Sequence, residues 1–214
     1  MHTLAVLNWD PSALVDVIDI LVFQYQELGN AAMAAAKDTF TRAGKHVWGY
    51  HCISPSPSVF LNTFVDVPPM KARLIPWLAA AEGFSGWLYW YTNWGSRHAP
   101  SATDPALQAL VPLRALDQPT GRSTYDPRVV NGVHFTNEDG NLLYAGERGP
   151  LSSVRLEQLR RGWEDRALLS LLAPNERVEL AQKLVRSATN YTFDAALLEA
   201  TRRDAALLIG KRQC

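Results

Sequence analysis

The chain has 214 residues, of which 47% are hydrophobic and 20% charged, and its 21 basic and 21 acidic residues cancel. That composition is that of a folded globular chain; it excludes a disordered protein, a nucleic-acid-binding surface and a polybasic membrane anchor. No apolar stretch is long enough to cross a bilayer, and MHTLAVLNWDPSALVD lacks the pattern of a signal peptide, so the compartment stays open. In chain order, "VIDILVF" (17–23) reads as a strand buried on both faces, interrupted by Asp19. The alanine-rich "GNAAMAAAKDTFTRAG" follows as a helix, with Asn30 as N-cap and Gly44 placed to end it. "KHVWGYHC" (45–52) reads as the next strand, and "ISPSPSVFLNTFVDVPP" as a loop.

"PMKARLIPWLAAAEG" is a predicted helix opened by Pro69 and closed by Gly83, with Pro76 expected to kink or split it. "FSGWLYWY" is then a further strand. Strands alternating with helices in this way predict parallel βα units. Residues 95–138 have no period and read as a long insertion, and "NEDGNLLYAG" as a turn and a short strand. A serine-capped helix is expected over "PLSSVRLEQLRRGWEDRALLSLL", its apolar face built from Leu156, Leu159, Trp163, Ala167 and Leu171. Two more helices, about 175–188 and 193–209, complete the chain.

The stretch "GWLYWYTNWG" (86–95) holds three tryptophans and two tyrosines. Such a run is first of all the material of a core strand, but it also suits a sugar-binding wall, where flat rings meet the apolar faces of a pyranose and amides meet its hydroxyls. Alternation puts Trp87, Tyr89 and Tyr91 on one face of the strand and Leu88 and Trp90 on the other. His2, His46, His98 and His134 have no metal-ligand spacing, and Cys52 and Cys214 define neither a disulfide framework nor a metal site. No glycine-rich phosphate loop occurs. Neither a metal nor a nucleotide cofactor is expected.

Six segments in order, "VDIxV", "GKHVWGYHC", "DVPPMKARLIPWLA", "GFSGWLYWYTNW", "DGNLLYAG" and "SSVRLEQLRRGWEDRALLSLL", together resemble the C-terminal half of the catalytic domain of glycoside hydrolase family 123. Lys45, Trp48, Tyr50, Arg73, Trp77, Gly83, Phe84, Trp90, Trp94, Ser153, Arg155, Arg160, Gly162 and Asp165 carry the match. The resemblance implies an α/β fold: the C-terminal part of a (β/α)8 TIM-type barrel over 1–172, followed by a helical extension over 173–214. It also implies a chemistry, substrate-assisted exo-β-N-acetylgalactosaminidase action. The acetamido oxygen of the sugar attacks its own anomeric carbon, while an adjacent Asp-Glu pair orients the acetamido group and supplies acid and base.

That pair is expected on sequence outside this chain, upstream of "VDIxV". No Asp-Glu dipeptide occurs in the 214 residues, so no catalytic residue is assigned and the chain alone is expected to be inactive. Glu138-Asp139 reads as a turn former and Glu164-Asp165 as a solvated helix face. The substrate-binding candidates lie where strands end: Trp90, Tyr91, Asn93 and Trp94, then Tyr50 and His51, then Gln24 and Tyr25. Arg155 and Arg160 are expected to hold the long helix to the rim. The implied partner is a glycan containing N-acetylhexosamine; a non-catalytic carbohydrate-binding or scaffold protein is the alternative. Open sheet edges further suggest a homodimer.

Overall fold

The computed structural model describes residues 3–7, 10–52, 54–55, 59–65, 67–92, 129–130, 133–134, 139–144 and 150–212. Four strands, β1 (Leu4–Val6), β2 (Ile20–Gln24), β3 (His46–His51) and β4 (Gly86–Tyr89), pair in that order, all parallel. Between them run α1 (Ala31–Arg42) and α2 (Met70–Ala81). Later come three short antiparallel pairs: β5 (Val129–Val130) with β6 (Val133–His134), β7 (Leu143–Tyr144) with β8 (Leu151–Ser152), and β9 (Val185–Ser187) with β10 (Asn190–Tyr191). The remaining helices are α3 (Val154–Leu169), α4 (Pro174–Gln182) and α5 (Ala195–Gly210). This is an α/β chain with a parallel four-stranded sheet, arranged as part of a barrel-like fold.

The helix ends follow local chemistry. The Asn30 side chain accepts the Ala32 N–H at 2.9 Å, Ser153 accepts that of Leu156 at 3.1 Å, and Asp194 accepts that of Leu197 at 3.0 Å. Gly44 and Gly83 leave α1 and α2 with φ of 72° and 69°, a conformation that side chains with a Cβ resist.

The inner sheet face carries Leu21, Phe23, Val47 and Trp87 into a core shared with α2 and α3. The same core continues through Leu180, Leu184 and Val185 to Leu198 and Ala205 of α5. On both faces the β3–β4 pairing sets a tryptophan against a glycine. Trp87 lies over its partner Gly49, and Trp48 lies over its partner Gly86; a Cβ on either glycine would sit 2.4–2.5 Å from indole atoms.

Several expectations are corrected. The strand over 17–23 begins only at Ile20, because Asp19 caps its entrance, accepting from Thr3 N–H at 2.9 Å and Lys45 Nζ at 3.1 Å. β1 was not anticipated: three residues with two exposed side chains give no periodic signal. Pro76 neither splits nor ends α2. The helix is continuous, and its residues from Lys71 to Ala80 are buried. The helix expected over 175–188 stops at Gln182 and gives way to the β9–β10 hairpin. Most of the 95–138 insertion lies outside the described residues.

The largest difference concerns α3. Its buried stripe is Arg155, Gly162, Asp165 and Leu169, whereas Ala167 is exposed and Leu171 is 62% exposed. Leu156, Leu159 and Trp163 are half-buried. The stripe is polar because α3 docks on α2 through charge and a close backbone approach. A Cβ on Gly162 would fall 2.4 Å from the Arg73 carbonyl oxygen and 3.0 Å from the Pro76 ring. Gly162→Ala is therefore expected to destabilise by about 1–3 kcal/mol through overpacking, against the ~1 kcal/mol by which alanine favours a helix. Urea unfolding checks this; an unchanged or raised midpoint would show that the two helices separate freely.

Candidate functional site

Parallel pairing brings the C-terminal ends of β2, β3 and β4 to one edge of the sheet. Gln24 pairs with Tyr50, and His51 with Tyr89. Alternation then divides the candidates between faces. Phe23 and Tyr25 share the inner face, and so do Val47 and His51. Tyr25 is fully buried, its ring centroid 5.2 Å from that of Trp87 and 5.9 Å from that of Phe60. Tyr25, a predicted sugar contact, is a core residue in this arrangement.

His51, also a predicted sugar contact, is likewise buried, and both ring nitrogens are engaged. Trp87 Nε1 donates to Nδ1 at 2.8 Å, and Nε2 lies 3.2 Å from Thr63 Oγ1. An indole N–H can only donate, so Nδ1 is the acceptor and the proton of the neutral ring sits on Nε2, directed at Thr63. Burial pulls the pKa of His51 down to about 3. The ring stacks on Tyr89 at 4.4 Å with 17° between planes. His51 supports the edge from beneath.

Gln24, Tyr50, Trp90 and Tyr91 are half-buried along the edge. Gln24 Nε2 reaches Cys52 Sγ at 3.5 Å, and Gln24 Oε1 accepts from Gln26 Nε2 at 2.9 Å. Burial raises the pKa of the Tyr50 hydroxyl, helped by a hydrogen bond with Cys52 and by the negative charge of Asp139. The rings of Trp90 and Tyr91 lie 5.8 Å apart. Asn93 and Trp94 lie outside the described residues.

The group that joins this edge together is Asp139, which the sequence reading placed in a turn and gave no role in the site. It does sit in a turn, but only 2% of it is exposed. Its Oδ1 accepts the Tyr89 hydroxyl at 2.8 Å and its Oδ2 accepts Trp90 Nε1 at 2.9 Å. The next residue, Gly140, donates its N–H to the Tyr89 oxygen at 2.6 Å. Burial raises the pKa of Asp139, while these donors and the charge of Arg155 act in the opposite direction. The backbone N–H groups of Leu142 and Leu143 donate to Thr92 O at 2.7 and 2.8 Å, so the turn prolongs the end of β4.

Arg155, at the start of α3, ties the neighbouring segments together. Its buried guanidinium donates to Thr63 O at 2.7 Å, to Asn141 O at 2.6 Å and to the Tyr144 hydroxyl. Arg160 is exposed instead, paired with Glu157 and Glu164 on its own helix. Among the described residues no group of three or more His, Cys, Asp or Glu side chains is placed to hold a metal.

An aromatic strand end, a buried carboxylate holding two of its rings, and an arginine anchoring the opposing turn occur in a chain whose residues 4–172 match the family model "Glycoside hydrolase 123, catalytic domain". The chain belongs to glycoside hydrolase family 123. Among solved structures it is similar to a family 123 glycoside hydrolase from Clostridium perfringens, described for glycolipid glycan hydrolysis. The TM-score is 0.59 at 16% identity, and the superposition covers 99% of this chain and 35% of that one. At that identity the likeness shows the fold. This family 123 chain thus spans 35% of the length of the enzyme it resembles. No curated protein matches the sequence.

The residues that sequence reasoning missed are Asp139, Thr63, Asn62 and Tyr89. Asn62 is buried, donating to Cys52 O at 3.3 Å and Pro55 O at 3.0 Å. Asp139 meets Trp90 across 49 residues of chain, most of them without a local pattern, so no periodicity exposes the pair. The usable signal is the "DGN" turn itself, the opening of the "DGNLLYAG" segment of the family pattern.

Proposed function

We propose that this chain forms the aromatic, glycan-binding side of a family 123 glycosidase site, recognising a terminal N-acetylhexosamine. The observation that carries the reading is the convergence of Trp90, Tyr91, Tyr50 and Gln24 on one strand-end edge, with Trp90 held by Asp139. An indole fixed at its N–H presents its face to a sugar ring, while the Tyr50 hydroxyl and the Gln24 amide supply hydrogen bonds. Asn93 and Trp94 follow Tyr91 and Thr92 in sequence and lie outside the described residues. In this reading the sheet is the C-terminal part of a (β/α)8 barrel, supplied by residues 1–172, with 173–214 as a helical extension. Its free edges pair with further strands, a second copy of the chain included.

The reaction in this reading is substrate-assisted, the acetamido group serving as nucleophile, and the Asp-Glu pair that such chemistry uses does not occur among these 214 residues. A non-catalytic sugar-binding or scaffold role is the second reading. It is compatible with the state of the two aspartates buried among the described residues: Asp139 is hydrogen-bonded to Tyr89 and Trp90, and Asp165 is paired with arginines.

Titration of the chain with N-acetylgalactosamine, followed by tryptophan fluorescence, tests the proposal. A saturable response that Trp90→Ala abolishes is expected, together with no hydrolysis of an aryl β-N-acetylgalactosaminide. Loss of an acid–base group is worth ~10²–10⁴-fold in rate. No response at tens of millimolar sugar (roughly the weak limit of specific recognition) would leave the scaffold role standing. Turnover by the chain would place the acid within it.

A further inference from the structure

Asp139 departs from the ordinary behaviour of a turn aspartate. In an Asp-Gly turn the carboxylate commonly faces water or caps the local backbone, yet this one is 2% exposed and its two oxygens are used on two successive residues of another segment, Tyr89 and Trp90. Successive residues at a strand end project to opposite sides. A single carboxylate that grips both fixes the twist of the chain where it leaves the sheet. It also fixes the rotation of the Trp90 indole about its side-chain bonds, because Nε1 has only one direction in which to donate. The turn bearing the carboxylate is itself held: Gly140 N–H donates to the Tyr89 oxygen, and Arg155 holds Asn141 O.

We propose that Asp139 is a positioning residue for sugar recognition: it locks the Trp90 indole in the orientation that stacks on the pyranose. Asp139 is not the acid of the site. The N–H of Trp90 and the O–H of Tyr89 are both directed at its oxygens, an arrangement that suits a carboxylate acceptor, and the group is only 2% exposed, so it is screened from a substrate on the surface. The inference rests on the reading of Trp90 as the sugar platform. It adds that affinity depends on a residue with no contact to sugar.

The test compares Asp139→Ala and Asp139→Asn with the parent chain. Two measurements are made: the N-acetylgalactosamine titration, and the indole N–H resonance of Trp90, assigned by its disappearance in Trp90→Phe. Asp139→Ala removes both acceptors; Asp139→Asn keeps one carbonyl oxygen and, by rotation, can serve Trp90 alone. Expected are an upfield shift of the Trp90 indole proton and about a tenfold weaker response to N-acetylgalactosamine in Asp139→Ala. Asp139→Asn should recover a large part of both. Parent-like affinity in Asp139→Asn and Asp139→Ala, with Trp90→Ala still abolishing the response, would overturn the positioning role and leave the platform intact. An Asp139→Asn variant whose indole resonance moves upfield while its affinity stays parental would also overturn it, even if Asp139→Ala failed to fold. If the parent and Trp90→Ala both ignore the sugar, it is the platform reading that fails, and the positioning role fails with it.

Discussion

Asp165→Ala is expected to destabilise the chain by about 3–5 kcal/mol, the range for breaking a buried ion pair by removing one partner. The carboxylate is 1% exposed and has donors on two other helices. Arg73 Nε of α2 reaches Oδ2 at 3.0 Å, Trp77 Nε1 of α2 reaches the same oxygen at 3.1 Å, and Arg202 Nε of α5 lies 2.7 Å from Oδ1. Alanine would leave the Arg73 guanidinium, its side chain 11% exposed, facing an apolar contact without its main counter-ion. Glu164 is the internal control. It is exposed and, among the described residues, pairs with Arg160 on the same helix alone, so Glu164→Ala should change stability by no more than ~0.5 kcal/mol. Urea midpoints of the two variants check the contrast. Equal midpoints would mean that the triple junction adds nothing to cohesion.

Lowering the pH is expected to destabilise the protein through His51 well before most carboxylates protonate. The folded-state pKa is depressed to about 3 from an ordinary 6.5, because the ring is buried and Nδ1 already accepts an indole N–H. A depressed histidine pKa means that the unfolded chain takes up a proton which the folded chain refuses. The contribution is fully present above about pH 6.5 and is lost progressively as the pH falls toward about 3. A difference of that size corresponds to on the order of 5 kcal/mol at most, a large part of the 5–15 kcal/mol by which domains are usually stable. Asp139 acts in the opposite sense: its raised pKa favours the folded state as acid protonates it, and it faces Tyr89, on which His51 stacks. Thermal melts of the parent and of His51→Gln between pH 7 and pH 4 (roughly the window set by the histidine and carboxylate ranges) separate the two terms. Parallel curves would show that His51 is not the acid-sensitive group.

The elements that the sequence revealed are those governed by nearest neighbours. Asn30, Ser153, Gly44 and Gly83 bound their helices as expected, because a cap needs only the residues one turn away. The strand over 45–52 and the aromatic strand after Gly83 were readable from composition and alternation. The buried face of α3 was not. Apolar spacing pointed to Leu156, Ala167 and Leu171, but the partner surface on α2 offers Arg73 and the Pro76 ring, so Gly162 and Asp165 face inward. The site divides in the same way. That strand ends would gather Gln24, Tyr50 and Trp90 follows from parallel βα order. That Tyr25 and His51 turn into the core, and that Asp139 closes the edge, depends on contacts made across the fold.

The paired tryptophans and glycines of β3 and β4 have a consequence for how the sheet reaches one arrangement. Parallel neighbours have no tight turn to count residues for them, so their alignment rests on side-chain fit. Here each strand carries a bulky ring next to a bare backbone position, in opposite order: Trp48 then Gly49, against Gly86 then Trp87. Sliding one strand by a single residue one way would set Trp48 against Trp87; one step the other way would leave Gly49 facing Gly86 with neither ring seated. The two pairs act as a notch and tab cut on both sides of the ribbon, admitting a single offset. Because β4 ends at Tyr89 and Trp90 follows directly, that offset also determines how far the aromatic edge projects beyond β3.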